Sequence, residues 1–188
     1  PTAAEAALAE AEVLFHELDN EPWLAIVRLE QAGLWKSLGR GDEALIASQN
    51  ALALCQRLGL DVQSTYAHLY LADLLVSEEP ETAGVHLEQA LAQAEALALP
   101  QLRYRAHARL GRLHRLQGQT DEALDHLTRA IEEIEQLRAT LPQETLRTAF
   151  LRDKLAPYED LIQLYLSQGD EEGLRQAFVV AERARSRA

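Results

Sequence analysis

Alanine recurs in pairs seven residues apart at a nearly constant interval along this chain, and that period limits the fold more than any other feature. The pairs are Ala44 with Ala51, Ala83 with Ala90, and Ala123 with Ala130, each set lying 39 or 40 residues from the next. One period further upstream fall Ala4 and Ala11. Seven residues are two helical turns, so each pair marks one face of a helix. A second small residue, Ala32, Ala72 or Gly111, precedes the marker by 12, 11 and 12 residues in the last three units. Small side chains at such points let two helices approach closely, and a bulkier one there costs about 1–3 kcal/mol through overpacking. The repeat is therefore read as a helical hairpin.

Local chemistry agrees. Ala, Leu, Glu, Gln and Arg dominate, aromatics make up 5% of the 188 residues, and β-branched residues are sparse, so nearly every stretch prefers helix and strand signals are missing. Gly39 and Gly118 stand where a helix ends in a left-handed residue, and Asp42 and Thr120 are expected to cap the helix that follows. The middle unit replaces the glycine by residues 77–82, which include Pro80, so its turn is expected to differ. Helices are placed near residues 2–18, 22–38, 42–58, 62–76, 80–97, 100–117, 120–138, 143–168 and 170–187. Pro157 is expected to kink or interrupt the long eighth helix, since an interior proline loses a backbone hydrogen bond. Such a bend either sets the angle of a following domain or accommodates a longer insert.

Leu110, Gly111, Gly118, Ala123, Leu127 and Ala130 fall at the spacing of the tetratricopeptide helix-pair signature, and the chain resembles that family. Tyr165 and Gly169 repeat part of the signature. The departures are the longer unit and the family's early tryptophan, replaced by Arg28, His68 and His107, with Trp35 at the later aromatic position. The resemblance implies an all-α fold, a right-handed α-α superhelix in which antiparallel helix pairs form a solenoid. The division is a half repeat at 1–20, repeats at about 21–60, 61–99 and 100–138, and an atypical terminal hairpin at 139–188. The first helix corresponds to the second half of a unit, and Pro1 is not an initiator methionine, so the chain is expected to be a piece of a longer protein.

From about Leu137 the period breaks. The next helix start is read at Leu174, 51 residues after Ala123, with Ala181 seven later. The intervening set Leu137-Arg138, Leu141-Pro142, Leu146-Arg147, Phe150 and Tyr158-Glu159, closed by residues 181–187 (Ala-Glu-Arg-Ala-Arg-Ser-Arg), resembles the linker and last hairpin that precede the caspase-like domain of bacterial CHAT proteins. That resemblance implies a downstream protease-like domain carrying the family's catalytic His and Cys; neither maps onto this chain.

Function classes narrow by charge and side-chain inventory. A formal net charge of −12 opposes binding to nucleic acid or anionic membranes, which relies on Lys and Arg. No apolar run approaches a membrane span, and residues 1–27 lack the basic head of a signal peptide. The single cysteine, Cys55, fits a reducing, cytoplasmic setting and reads as a buried small hydrophobe without a nearby base to activate it. The six histidines, His16, His68, His86, His107, His114 and His126, offer no metal-ligand spacing, and the adjacent carboxylates Glu78-Glu79 and Glu132-Glu133 point in different directions on a helix. No catalytic, cofactor or metal site is expected.

One local feature stands out: Arg103, Arg105, Arg109, Arg112 and Arg115 lie in a stretch, residues 96–120, without a single Asp or Glu. Arg105, Arg109 and Arg112 follow i, i+4, i+7 and share a face. In tetratricopeptide arrays the first helix of each pair lines the binding groove, so the resemblance puts these three there, with Tyr66, Leu69, Tyr70 and Asp73 on the neighbouring wall. Arginine holds carboxylates bidentately, which points to an acidic segment of a protein or peptide partner. The competing reading is that Asp73, Glu159 and Asp160 neutralise the arginines across the groove, at about 0–1 kcal/mol per exposed pair.

Three functions follow. The first is a non-catalytic protein-interaction module attached to a caspase-like effector; the second is the peptide-sensing repeat domain of a bacterial signalling or transcription regulator. What is encoded beyond Ala188 discriminates them: an α/β domain with His and Cys, or a nucleotide- or DNA-binding module. The third is self-association through an apolar stacking face at the first helix, because repeat arrays need polar ends.

Overall fold

The computed structural model describes residues 2–151 and 154–185, and within them all side chains except those of residues 144, 145, 147 and 148. Arg147 as a side chain, and Pro1, Ser186 and Arg187 as residues, therefore lie outside the described part. The described residues form helices and turns without strands: α1 (Ala3–Glu17), α2 (Glu21–Ser37), α3 (Gly41–Leu58), α4 (Asp61–Leu75), α5 (Pro80–Ala96), α6 (Pro100–Leu116), α7 (Thr120–Ala139), α8 (Glu144–Leu151), α9 (Ala156–Ser167) and α10 (Glu171–Arg185). No helix among them is long and apolar enough to cross a membrane.

The chain forms two compact units, Pro1–Leu97 and Ala98–Ala188. In the first, α1 packs on α2, α2 on α3, α3 on α4 and α4 on α5, while α2 also touches α4, so first helices of neighbouring hairpins lie side by side. Leu24, Ala25, Leu29, Ala51, Leu54, Cys55 and Ala67 form a core there. In the second, α6 pairs with α7, α9 with α10, and α9 packs on both α6 and α7. Its core joins Leu127, Ile131 and Ile134 of α7 to Tyr158, Leu161 and Leu164 of α9.

The alanine markers behave as the period requires. Ala44, Ala51, Ala83, Ala90, Ala123 and Ala130 are all fully buried, and Ala32 and Ala72 nearly so. Ala4 is exposed and Ala11 half-buried, and no residue of α1 is buried.

Turns are tighter than the sequence reading assumed, and this corrects the two caps. Gly39 and Gly118 do adopt the left-handed conformation, at φ +72° and +74°. The next residue then donates its N–H five residues back, Arg40 to the Trp35 carbonyl and Gln119 to that of His114, both at 2.9 Å. That residue is already the N-cap: α3 starts from Arg40 and α7 from Gln119, neither with a side-chain cap. Asp42 and Thr120 are inside the helices, because a single glycine separates the C-cap of one helix, Leu38 or Gln117, from the N-cap of the next. Asp42 and Glu43 instead place negative charge in the first turn of α3, where the helix dipole favours it. The middle hairpin turns differently, as its composition foretold: Glu79 leads into Pro80 at the first turn of α5, and no residue of 76–79 has positive φ.

The long eighth helix is divided. α8 ends at Leu151, α9 begins at Ala156, and Pro157 sits in the first turn of α9, where its missing N–H costs nothing. In α10 the buried small residues are Gly173 and Ala177, and Val180 packs against the core of α7 and α9, whereas Leu174 is 61% exposed. The face expected from Leu174 and Ala181 is thus shifted by one residue. Asp170 explains it: its Oδ1 accepts the Gly173 N–H at 2.6 Å, and a Cβ on Gly173 would stand 2.4 Å from the Tyr165 carbonyl oxygen, so α10 rests on α9 through that glycine.

Candidate protein-binding face

Helix α6 opens with Pro100 in its first turn, carries no acidic residue there, and ends with His114 and Arg115, which suit the negative end of the dipole. Leu102, Tyr104, Ala106, His107, Leu110, Gly111 and Leu113 are buried, which turns the remaining arginines outward. Two of the five are held by ion pairs inside the second unit: Arg103 with Glu133 of α7 at 2.9 Å and Arg115 with Asp160 of α9 at 2.8 Å.

Arg105 and Arg109 are half-buried and Arg112 is exposed. The Arg105 guanidinium lies 6.0 Å from the centre of the Tyr104 ring, and its Nε donates to the Tyr104 hydroxyl at 3.4 Å. Arg109 donates from Nη1 to the Arg105 carbonyl at 3.2 Å. The three cations therefore follow one another along a helix whose own residues supply no carboxylate. Asp160, one of the acidic groups weighed as neutralisers, does neutralise an arginine of α6, Arg115, while Asp73 pairs with Lys36.

The remaining wall residues sit on α4, in the other compact unit. Tyr66 and Tyr70 are half-buried and pack against the core of α2, α3 and α4. The Lys36 ammonium is 5.8 Å from the Tyr70 ring centre and pairs with Asp73, which joins α2 to α4. Leu69 departs from its expected place: it is 2% exposed, part of the interior and unavailable to line a surface. Leu69 follows the fully buried Thr65 by four residues and shares its inward face. Cys55 is fully buried, and burial pushes its thiol above the ordinary range.

Sequence reasoning missed the histidine pairs. Nδ1 of His68 on α4 and Nδ1 of His86 on α5 are 2.9 Å apart, and the same contact at 2.9 Å joins His107 on α6 to His126 on α7. The signal was present, because 68 to 107 and 86 to 126 are again 39 and 40 residues. A neighbouring position repeats too: Ser64 accepts from Gln93 at 3.3 Å where the next hairpin has Arg103 and Glu133. Burial, and then the charge of the facing histidine, draws His68 down to about 4, and His107 likewise to about 4. Among the described residues no group of three or more His, Cys, Asp or Glu side chains is arranged to hold a metal ion.

Stacked helix pairs with a repeating small-residue seam make this an all-α helical-repeat protein. No protein-family model matches the chain, and no curated protein does. Among solved structures it is similar to BtubC (BKLC) from P. vanneervenii, a helical-repeat-like protein, with a TM-score of 0.74 at 20% identity over 97% of this chain and 74% of that one.

Proposed function

We propose that this chain is a non-catalytic protein-holding module, and that Arg105, Arg109 and Arg112 of α6 grip an acidic segment of its partner. The observation that carries the reading is their alignment on one helix face in a stretch of the chain that has no carboxylate, within a protein of net charge −12. A surface cation stripe against that background favours anions selectively, and bidentate guanidinium–carboxylate contacts give it direction. Tyr104 supports the Arg105 guanidinium from the side, which lowers the entropy lost when a carboxylate binds. The module belongs to a larger protein of the tetratricopeptide–CHAT kind, a reading supported by the sequence pattern from Leu137 to Arg187, and it works in the cytoplasm of a bacterium.

The test is fluorescence anisotropy with a labelled Glu-rich peptide and a Lys-rich control. Capture of the acidic peptide alone, weakening with salt, is the expected result. The double variant Arg105→Glu, Arg109→Glu is expected to lose binding about a hundredfold or more, since each charged hydrogen bond contributes roughly 1.5–3 kcal/mol. Unchanged capture by that variant would refute the site. Reading the coding sequence after Ala188 tests the parent separately: a caspase-like domain supports it, a DNA-binding module overturns it.

A further inference from the structure

We infer that the two histidine pairs, His68–His86 and His107–His126, are acid-sensitive locks that hold their hairpins closed at neutral pH and release them when both rings of a pair become protonated. Each pair bridges the first and second helix of one hairpin, α4 to α5 and α6 to α7, through facing Nδ1 atoms at 2.9 Å. Two neutral rings make that contact only as complementary tautomers, one donating Nδ1–H and the other offering the Nδ1 lone pair. One added proton leaves the contact intact, since an imidazolium still donates to a neutral ring. A second turns both Nδ1 atoms into donors, which eliminates the hydrogen bond and sets like charges face to face.

The surroundings make the two locks unequal. Among the described residues, His86 is the group whose charge acts on His68 from the elements packed on α4, and His86 itself is lowered by burial. Ser64 and Thr65 beside it are buried and bond to Gln93 of α5, so this hairpin is joined by neutral polar contacts. At the second lock Arg103 on α6, with Arg129 and His126 on α7, opposes protonation of His107, and Asp125 on α7 favours it. His114 stacks on His126 with ring centres 5.3 Å apart, and Glu133 holds Arg103. Loss of the His107–His126 contact leaves the Arg103–Glu133 pair in place, so α4–α5 is expected to open first.

The arrangement recurs at one register in two successive hairpins, whereas the preceding hairpin has Arg28 and Ala47 at those positions. Buried histidines placed only to fill space need not meet nitrogen to nitrogen twice.

The experiment is amide hydrogen exchange on the full chain between pH 7.5 and 4.5, corrected for intrinsic exchange, alongside thermal melts of His86→Asn and His126→Asn. Asparagine presents an amide near the Nδ1 position and does not titrate. Expected are protection factors of α4 and α5 that fall at least tenfold below pH 6 while those of α2 and α3 hold, and a melting profile that flattens with pH in the asparagine variants. Uniform loss across all helices, or an unchanged pH profile in both variants, would overturn the proposal. Should a variant fold poorly, the ring protons of His68 and His107 decide it by NMR: titration in the ordinary range of a free imidazole refutes the locks, and a midpoint well below it supports them.

Discussion

Gly111 of α6 lies against Leu127 of α7 so closely that a Cβ on the glycine would stand 2.6 Å from the leucine Cγ and 3.0 Å from its backbone nitrogen. Such a contact has no room for a methyl group, and the backbone atom cannot swing away. Gly111→Ala is therefore expected to destabilise the chain by about 1–3 kcal/mol through overpacking, in spite of alanine's better helix propensity. Ala72 occupies the corresponding place on α4, where its methyl is accommodated at 2% exposure. Urea unfolding measures both, and a Gly111→Ala protein as stable as the parent would show that the helices separate freely.

Ala98 carries a left-handed backbone, φ +51°, at the turn between α5 and α6, where the comparable turn before α4 has Gly59. A non-glycine residue there is strained by about 1–2 kcal/mol, against roughly 0.5–1 kcal/mol of extra chain entropy for glycine. Ala98→Gly is expected to raise the thermal midpoint modestly, and Gly59→Ala to lower it. The pair of melts reads the sign directly.

His68 and His107 bind protons less readily folded than unfolded, about 4 against 6.5. A depressed histidine contributes stability that is complete above about pH 6.5 and is lost as the pH falls towards 4, because the unfolded chain then takes up the proton first. Two such shifts correspond to roughly 3 kcal/mol each as an upper figure. Denaturant midpoints should fall between pH 6.5 and 5, a range in which most carboxylates are still ionised. A flat stability curve over that range would contradict the burial of these rings.

Cys55 is fully buried with its thiol pushed up. A thiol-reactive disulfide reagent should label it only as fast as the first unit opens, with a sharp rise in denaturant. Cys55→Ser is expected to cost about 1–3 kcal/mol, since the hydroxyl enters an apolar core. Rapid labelling of the native protein would place the thiol at the surface.

Most of the helical architecture was legible because its causes are local. Left-handed glycines at 39 and 118, the different turn before Pro80 and the break at Pro157 all follow from backbone sterics within a few residues. The caps fall at Arg40 and Gln119 in place of Asp42 and Thr120 because a single glycine separates the C-cap of one helix from the N-cap of the next, a geometry that depends on how the hairpin closes. Leu69 and the face of α10 failed because periodicity says which residues share a side and leaves open what that side meets. The arginine stripe was visible from its spacing; that Arg103, Arg115 and Asp73 would be taken by Glu133, Asp160 and Lys36 required the neighbouring helices.

By itself the sequence determined the hairpin, its length and its seam, since a helix period of 3.6 and the absence of side-chain bulk at set intervals permit little else. Tertiary structure decided which side chains meet across that seam. His68 found His86 and His107 found His126 because the two helices within each of these hairpins fold back at the same offset, and a contact between residues 18 or 19 apart is fixed by packing, where no local rule reaches.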